Sequence, residues 1–258
     1  MVLIFLRYLF NYYTLNKKGK IVNSVKHITL LGVFLLVAAY SCDWLSVRLH
    51  RFGIRGIDVS HYQSAILWEE VFKQDIDFVF VKATEGNYLS DSLFARNWDA
   101  IREHGIRRGA YHFFRASTPA EEQALNFIRN VPMEEGDLPP VLDVEVLDGL
   151  TKPEVLARMQ TWLFMVEIAY GVKPIIYTNQ KFYNTNLAGY FSSYPLWIAR
   201  YNSRGPRLAD GRKWTFWQHR DTGRLPGISG NVDFNVFRGS LVELETLCMK
   251  PKLAVSMR

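Results

Sequence analysis

From Gly53 onwards, short strand-like segments alternate with helical patterns, and this alternation limits the folds open to the 258-residue chain. Each strand-like segment is rich in β-branched or aromatic residues and is bounded by Gly, Pro, Asn or Asp. The eight segments are 56–60, 78–84, 108–114, 140–145, 174–178, 195–201, 215–218 and 232–237. Helical patterns separate the first six, and they cover residues 64–74, 90–105, 117–131, 151–171 and 179–190. Alternating β and α elements favour a parallel sheet, because parallel neighbours require a crossover connection.

The connections after the sixth and seventh strands are short, rich in Gly, Arg and Pro, and have no helical period. Eight strands in one domain of about 200 residues indicate a closed or nearly closed barrel. We therefore expect an α/β fold with a single irregular, TIM-barrel-like (β/α) barrel of about eight strands and five helices. The barrel is predicted to span residues 53–240, and residues 241–258 are predicted to form a C-terminal helix or tail.

Residues 1–52 form a basic and apolar segment ahead of this domain. Four lysines precede an apolar run at residues 28–40, an arrangement that is typical of an export signal. An uncleaved membrane anchor over residues 28–45 is the first expectation, and it would hold the protein at the cell envelope. The alternatives are a lipoprotein modified at Cys42 and a secreted protein whose signal is cleaved.

The net charge of +6 comes from this N-terminal segment. Residues 1–55 hold eight basic residues and one acid, whereas the remainder holds 23 basic and 24 acidic residues. A nucleic-acid-binding domain would carry the basic excess on its folded surface. The charge distribution therefore argues against a nucleic-acid partner.

Asp143 and Glu145 stand two residues apart at the end of the fourth strand. Successive strand residues point to opposite faces, so the two carboxylates face the same way. Asp58 ends the first strand, Glu85 ends the second, and Asp233 lies on the eighth, which neighbours the first if the barrel closes. The carboxyl ends of the strands form the active face of such barrels, so we expect these acids to meet at one mouth.

A single acid at a strand end is usually a helix cap or half of a salt bridge, and this structural interpretation applies most to Asp58 and Glu85. The Asp143–Glu145 pair is different, because two like charges on one strand face repel and are costly to desolvate. Glycosidic bond cleavage uses such a pair. One protonated carboxyl donates to the leaving oxygen, and a second, ionised group stabilises the oxocarbenium charge.

A metal site is the rival use of clustered carboxylates. His61, His112 and His219 are present, but none falls in a metal-binding spacing such as HxxxH. The two cysteines also have no ligand partner at a useful spacing. We therefore expect neither a metal nor another cofactor.

With these residues located, the chain resembles the family 25 glycoside hydrolases, the lysozymes of the Chalaropsis type. The similarity runs from about residue 56 to residue 239 and rests on eight motifs in order. They are GIDVSHYQ, FVFVKATEG, GAYHFF, LPPVLDVE, PIIYT, PLWIARY, WQH and GNVDFNVF. The resemblance implies an irregular barrel and cleavage of the β-1,4 bond between N-acetylmuramic acid and N-acetylglucosamine in peptidoglycan.

The resemblance also implies roles for the acids. Glu145 would be the general acid, and Asp143 would stabilise the charged intermediate or position a 2-acetamido group that acts as internal nucleophile. Both routes stay open. Asp58 and Asp233 would shape the field and hold Asp143 and the sugar.

Further residues at or near the strand ends would bind the sugar chain. Aromatic rings suit the apolar face of a sugar, although core packing is the competing interpretation for several of them. The substrate-binding candidates are Tyr111, Tyr177, Trp197, Tyr201, Gln218 and Glu85. The expected partners are peptidoglycan glycan strands and, through the N-terminal segment, the membrane, and we expect a monomer.

Two other functions compete with this one. A non-catalytic glycan-binding module could use the same fold, but loss of Asp143 or Glu145 would then be expected, and both are present. A hydrolase of another N-acetylated glycan, such as chitin, would use the same catalytic acids.

Overall fold

The computed structural model describes residues 53–251. Nine strands form one sheet in this part of the chain. In chain order they are β1 (Arg55–Val59), β2 (Phe78–Glu85), β3 (Leu89–Ser90), β4 (Arg107–Phe113), β5 (Val141–Asp143), β6 (Ile175–Asn179), β7 (Leu196–Ala199), β8 (Phe216–Gly223) and β9 (Val232–Phe237).

Eight of these strands close into a barrel. The order is β1-β9-β8-β7-β6-β5-β4-β2, and β2 pairs again with β1. All neighbouring pairs are parallel except those of β9, which runs antiparallel to both β8 and β1. The two-residue strand β3 turns back onto β2 outside the closed ring. The predicted irregular α/β barrel is therefore confirmed.

Six α-helices accompany the strands in the described part of the chain. They are α1 (Trp68–Val71), α2 (Phe94–Glu103), α3 (Ala120–Asn130), α4 (Lys152–Tyr170), α5 (Gln180–Phe182) and α6 (Leu241–Leu247). The first five follow β-strands, as predicted, and α6 lies where the C-terminal helix is expected. Two are shorter than their sequence patterns: α1 is a single turn, and α5 continues as a π-helix over Tyr183–Leu187.

Local sequence explains where the longest helix begins and ends. Thr151 and Glu154 form a capping box at the start of α4, with Pro153 in its first turn. Gly171 ends the helix in the left-handed conformation, with φ of 71°, which glycine adopts without a steric penalty.

Aromatic rings fill the inside of the barrel. Phe80 stacks on Trp197 with ring centres 4.4 Å apart and meets Phe216 edge-on at 5.2 Å. Two glycines make room for these rings, because a Cβ at Gly56 would lie 2.4 Å from Phe78 and one at Gly109 would lie 2.5 Å from Phe80. The inside of the barrel is thus packed with side chains, and a cleft that can hold a ligand lies at its mouth.

The predicted membrane anchor at residues 28–45 and the lipoprotein alternative at Cys42 lie outside the described residues. Within residues 53–251, no helix has the length and apolar character needed to span a bilayer. The boundaries proposed for the N-terminal segment, the barrel and the C-terminal tail stay predictions.

Candidate active site

A cleft of about 320 Å³ opens at the carboxyl ends of the parallel strands. All ten residues that the sequence singled out line it. Four further lining residues were not anticipated, and they are Tyr62, Lys82, Phe113 and Arg115.

Asp58 and Asp233 meet on one side of this cleft. They are register partners on β1 and β9, and since β9 runs antiparallel, its first residues lie at the mouth where β1 ends. Their carboxyls are hydrogen-bonded to each other, which requires one proton between them. Burial, reinforced by the Asp233 charge, raises the pKa of Asp58 well above its usual value, and burial raises the pKa of Asp233 to about 6.

A hydrogen-bond network fixes the orientation of Asp58. Gln218 Nε2 and Asn235 Nδ2 donate to Asp58 Oδ2 at 2.9 and 2.7 Å. The Tyr177 and Tyr201 hydroxyls both donate to Gln218 Oε1, at 2.8 and 3.0 Å, and so orient its amide. The predicted sugar-binding residues Tyr177, Tyr201 and Gln218 therefore have structural partners as well as a place in the cleft.

Asp143 is the last residue of β5 and is buried. Its Oδ1 atom has no hydrogen-bond partner in the described structure. Burial, followed by the charges of Glu145 and Asp58, raises the pKa of Asp143 well above its usual value. A buried carboxylate oxygen without a donor is costly, so this atom is suited to accept a hydrogen bond from a ligand.

Glu145 lies two residues beyond Asp143, in the segment that follows β5, and is partly exposed in the same cleft. Burial raises its pKa, and a hydrogen bond from Asn179 opposes that rise. Asn179 ends β6, and its Oδ1 accepts the Phe182 backbone N–H at 2.8 Å as the N-cap of α5. The capping bond occupies the amide oxygen, and the amide nitrogen is left to donate to Glu145.

Glu85, by contrast, is held by two cations. Its carboxylate accepts from Lys82 Nζ at 2.7 Å and from Arg115 Nε and Nη2 at 2.9 and 2.5 Å. Burial would raise its pKa, but these partners outweigh burial and the pKa is lowered. Glu85 therefore stays ionised and is unsuited to donate a proton.

The aromatic candidates divide between core and cleft. Trp197 is 2% exposed and packs against Phe80, while its indole N–H donates to Asn235 at 2.8 Å. Tyr201 is 53% exposed and presents the largest accessible aromatic surface among the predicted residues. Tyr62, which the sequence analysis missed, is 77% exposed beside the cleft and lies against His61 at 4.2 Å.

The residues that sequence reasoning missed fall into two kinds. Tyr62 and Lys82 stand inside the recognised motifs GIDVSHYQ and FVFVKATEG, so their motif position was an available signal. Phe113 and Asn235 likewise stand inside the motifs GAYHFF and GNVDFNVF. Arg115 and Asn179 stand outside the motifs and carry no local signal, because each matters through a partner from a distant part of the chain. Within residues 53–251, no group of three or more His, Cys, Asp or Glu side chains is arranged to hold a metal ion.

Comparison with known proteins gives a consistent result. Residues 57–228 match the family described as Glycosyl hydrolases family 25. The protein YegX of Escherichia coli K12 is 49% identical over 199 residues, which cover 75% of this chain and 73% of YegX. Lysozyme M1 of Streptomyces globisporus is 35% identical over 76% of this chain and 71% of its own length. A family 25 glycosyl hydrolase from Bacillus anthracis superposes with a TM-score of 0.73 at 38% identity, covering 77% of this chain and 95% of that structure.

Proposed function

Because the chain belongs to glycosyl hydrolase family 25, we propose that it is a lysozyme acting on peptidoglycan. The bond cleaved is the β-1,4 linkage between N-acetylmuramic acid and N-acetylglucosamine. The observation that carries the proposal is the group of four carboxyls with raised pKa, Asp58, Asp143, Glu145 and Asp233, around one cleft. A binding module has no use for so costly a cluster, whereas acid catalysis requires it.

In the proposed mechanism, Glu145 donates its proton to the leaving glycosidic oxygen. Burial raises its pKa, which keeps a larger protonated fraction available as the pH rises. Its partial exposure leaves room for the substrate oxygen, and the hydrogen bond from Asn179 stabilises the ionised form after donation.

Asp143 stabilises the charge that develops on the sugar. In the protein by itself its pKa is raised more strongly than that of Glu145, because Asp143 is more deeply buried and the charges of Glu145 and Asp58 add to the rise. Its Oδ1 atom also lacks a donor. A 2-acetamido N–H of the substrate would supply that donor and would lower the pKa of Asp143, which leaves Glu145 as the acid. This geometry suits both a substrate-assisted route and direct stabilisation of the oxocarbenium ion.

The test compares the full chain with Glu145→Gln and Asp143→Asn on purified peptidoglycan, counting reducing ends and identifying the new terminal sugar. New N-acetylmuramic acid ends from the wild type, and a loss of about 10³-fold in Glu145→Gln, are expected. Binding of peptidoglycan without cleavage would instead favour a glycan-binding module. Cleavage of chitin oligomers in preference to peptidoglycan would favour a chitinolytic enzyme.

We further propose that residues 28–45 keep the enzyme at the cell envelope as an uncleaved anchor. The support is the apolar run behind a lysine-rich stretch. Fractionation of cells that express the full chain and its Cys42→Ser variant checks this proposal. Both chains should stay with the membrane after a carbonate wash. Incorporation of labelled fatty acid into the full chain but not into Cys42→Ser would identify a lipoprotein, and release of both chains would identify a secreted protein.

A further inference from the structure

One wall of the cleft is cationic, in contrast to the carboxyl cluster. This cationic wall consists of Lys82, Arg115 and the ring of Phe113, with Glu85 between the two cations. Lys82 Nζ lies 5.2 Å and the Arg115 guanidinium 4.7 Å from the centre of the Phe113 ring. Two positive charges share one carboxylate, so the wall keeps a positive charge that Glu85 does not neutralise.

Arg115 has donor capacity to spare. Its Nε and Nη2 atoms both bind the same oxygen, Glu85 Oε1, and Nη1 has no partner in the described structure. The side chain is 45% exposed and lines the cleft, so solvent and ligands can reach it. A guanidinium presents five donors in a planar fork, and a second carboxylate can bind the unused side.

The backbone of Arg115 is held from behind by a buried network. Gln123 accepts the Arg115 N–H at 2.9 Å and donates to the Arg115 carbonyl oxygen at 2.9 Å. His112 Nε2 binds the same Gln123 oxygen at 3.1 Å, and His112 Nδ1 binds the Thr84 hydroxyl at 2.7 Å. Burial lowers the pKa of His112 to about 4, so the imidazole stays neutral and the network is complete. The backbone that carries the Arg115 guanidinium is therefore held in place before a ligand binds.

The cationic wall adjoins Asp143. Phe113 is the register partner of Glu85 on one side and of Asp143 on the other, so the three residues lie side by side across β2, β4 and β5. Neighbouring strands are about 4.8 Å apart, which puts the wall next to the sugar that Asp143 would hold.

Sugar chemistry links the two positions. If Asp143 holds the 2-acetamido group, the neighbouring ring carbon, C3, carries the lactyl ether that distinguishes N-acetylmuramic acid from N-acetylglucosamine. We propose that Arg115 binds a carboxylate on this C3 arm and so selects muramoyl glycan over chitin. The proposal rests on the proposed function and deepens it. The carboxylate is either the free lactyl group or a carboxylate of the peptide attached to it.

The test measures kcat and KM of the full chain on three preparations of one glycan. The first bears stem peptides, the second is stripped of peptide so that lactyl carboxylates are free, and the third is the stripped glycan with those carboxylates methyl-esterified. The variants are Arg115→Gln and Arg115→Lys, and Arg129→Gln is the matched control because Arg129 is exposed on α3 outside the cleft.

The wild type should have a KM about tenfold lower for a carboxylated glycan than for the ester, as expected for one charge-assisted hydrogen bond. Arg115→Gln should remove this difference with little change in kcat, Arg115→Lys should restore part of it, and Arg129→Gln should match the wild type. Preference for the stripped glycan identifies the lactyl carboxylate as the ligand, and preference for the peptide-bearing glycan identifies a peptide carboxylate.

Equal wild-type kinetics on all three preparations would overturn the proposal and leave the lysozyme function intact. An equal loss in Arg115→Gln on every preparation would also overturn it, because Arg115 would then act only by holding Glu85. Failure of the wild type to cleave any of the three would instead reject the proposed function itself.

Discussion

Five carboxyls line the same cleft, yet their pKa values are shifted in opposite directions on its two sides. On one side burial raises the pKa values of Asp58, Asp143, Glu145 and Asp233, and the charges of other carboxylates add to the rise at Asp58, Asp143 and Asp233. On the other side Glu85 is also partly buried, but Lys82 and Arg115 bind it and its pKa is lowered. Position at a strand end is therefore not enough to make an acid catalyst. The partners decide whether a carboxyl keeps its proton or binds cations.

The largest expected effect is a difference in kcat between a variant on the carboxyl side and one on the cationic side. Glu145→Gln should lower kcat by about 10³-fold, because the amide cannot donate the proton to the leaving oxygen. Glu85→Gln should lower kcat by less than about tenfold, because Glu85 is ionised and unsuited to general acid catalysis. Reducing-end assays on peptidoglycan measure both. A comparable loss of kcat in the two variants would show that the two sides do not differ in their importance for catalysis.

The next effect concerns stability on the cationic side. Lys82 has only 8% of its side chain exposed, so Glu85→Gln leaves a nearly buried ammonium without its carboxylate. We expect the free energy of unfolding in urea to fall by about 2 kcal/mol. The double variant Lys82→Met, Glu85→Gln should recover most of that loss, since no unpaired charge remains. A Glu85→Gln protein as stable as the wild type would show that the ion pair contributes little.

Replacing a carboxyl on the other side of the cleft should raise the free energy of unfolding, whereas Glu85→Gln lowers it. The pKa of Asp233 is raised to about 6 in the folded protein, so folding is favoured while it is protonated and loses that contribution as the pH rises through 6. Asp233→Asn removes this penalty and should raise the free energy of unfolding by about 1 kcal/mol at pH 7.5, since the group is partly exposed. The gain should disappear below pH 4. A loss of stability at pH 7.5 would show that the hydrogen bond to Asp58 outweighs the burial penalty on ionised Asp233.

The smallest effect is a change in the pH profile of kcat. Asn179→Ser keeps a good N-cap for α5 but removes the amide donor to Glu145. The ionised form of Glu145 then loses a stabilising hydrogen bond, so its pKa should rise and the alkaline limb of the profile should move to higher pH. Asn179→Asp, which also keeps the cap, should move the limb in the same direction. An unchanged limb, with the thermal midpoint retained, would limit Asn179 to its capping role.

Much of the fold could be predicted, because the sequence patterns that mark its strands and helices are local. Eight of the nine strands were located within a few residues, since β-branched and aromatic runs between turn residues mark them. The strand β3 was missed because two residues show no period. The length of α1 was overestimated, since an apolar helical pattern over 64–74 does not reveal that only Trp68–Val71 forms a helix.

The candidate site was open to prediction for a different reason. The ten residues named from the sequence all line the cleft, because strand ends in a barrel converge whatever the details of packing. Arg115 and Asn179 were not found, because their importance comes from contacts with Glu85 and Glu145, which belong to other parts of the chain. Their roles can be recognised only from the three-dimensional structure.

The sequence by itself determined the order of strands and helices, because turn residues and the periods of strands and helices are local signals. Strand alternation did not fix the direction of Glu145, because β5 ends at Asp143. Only the tertiary structure decided which carboxyls keep a proton. Desolvation and pairing depend on groups brought together by barrel closure: Asp233 reaches Asp58 because β9 runs antiparallel, and Arg115 reaches Glu85 because β4 lies beside β2. These contacts set the ionisation of the carboxyls, and no local sequence pattern predicts them.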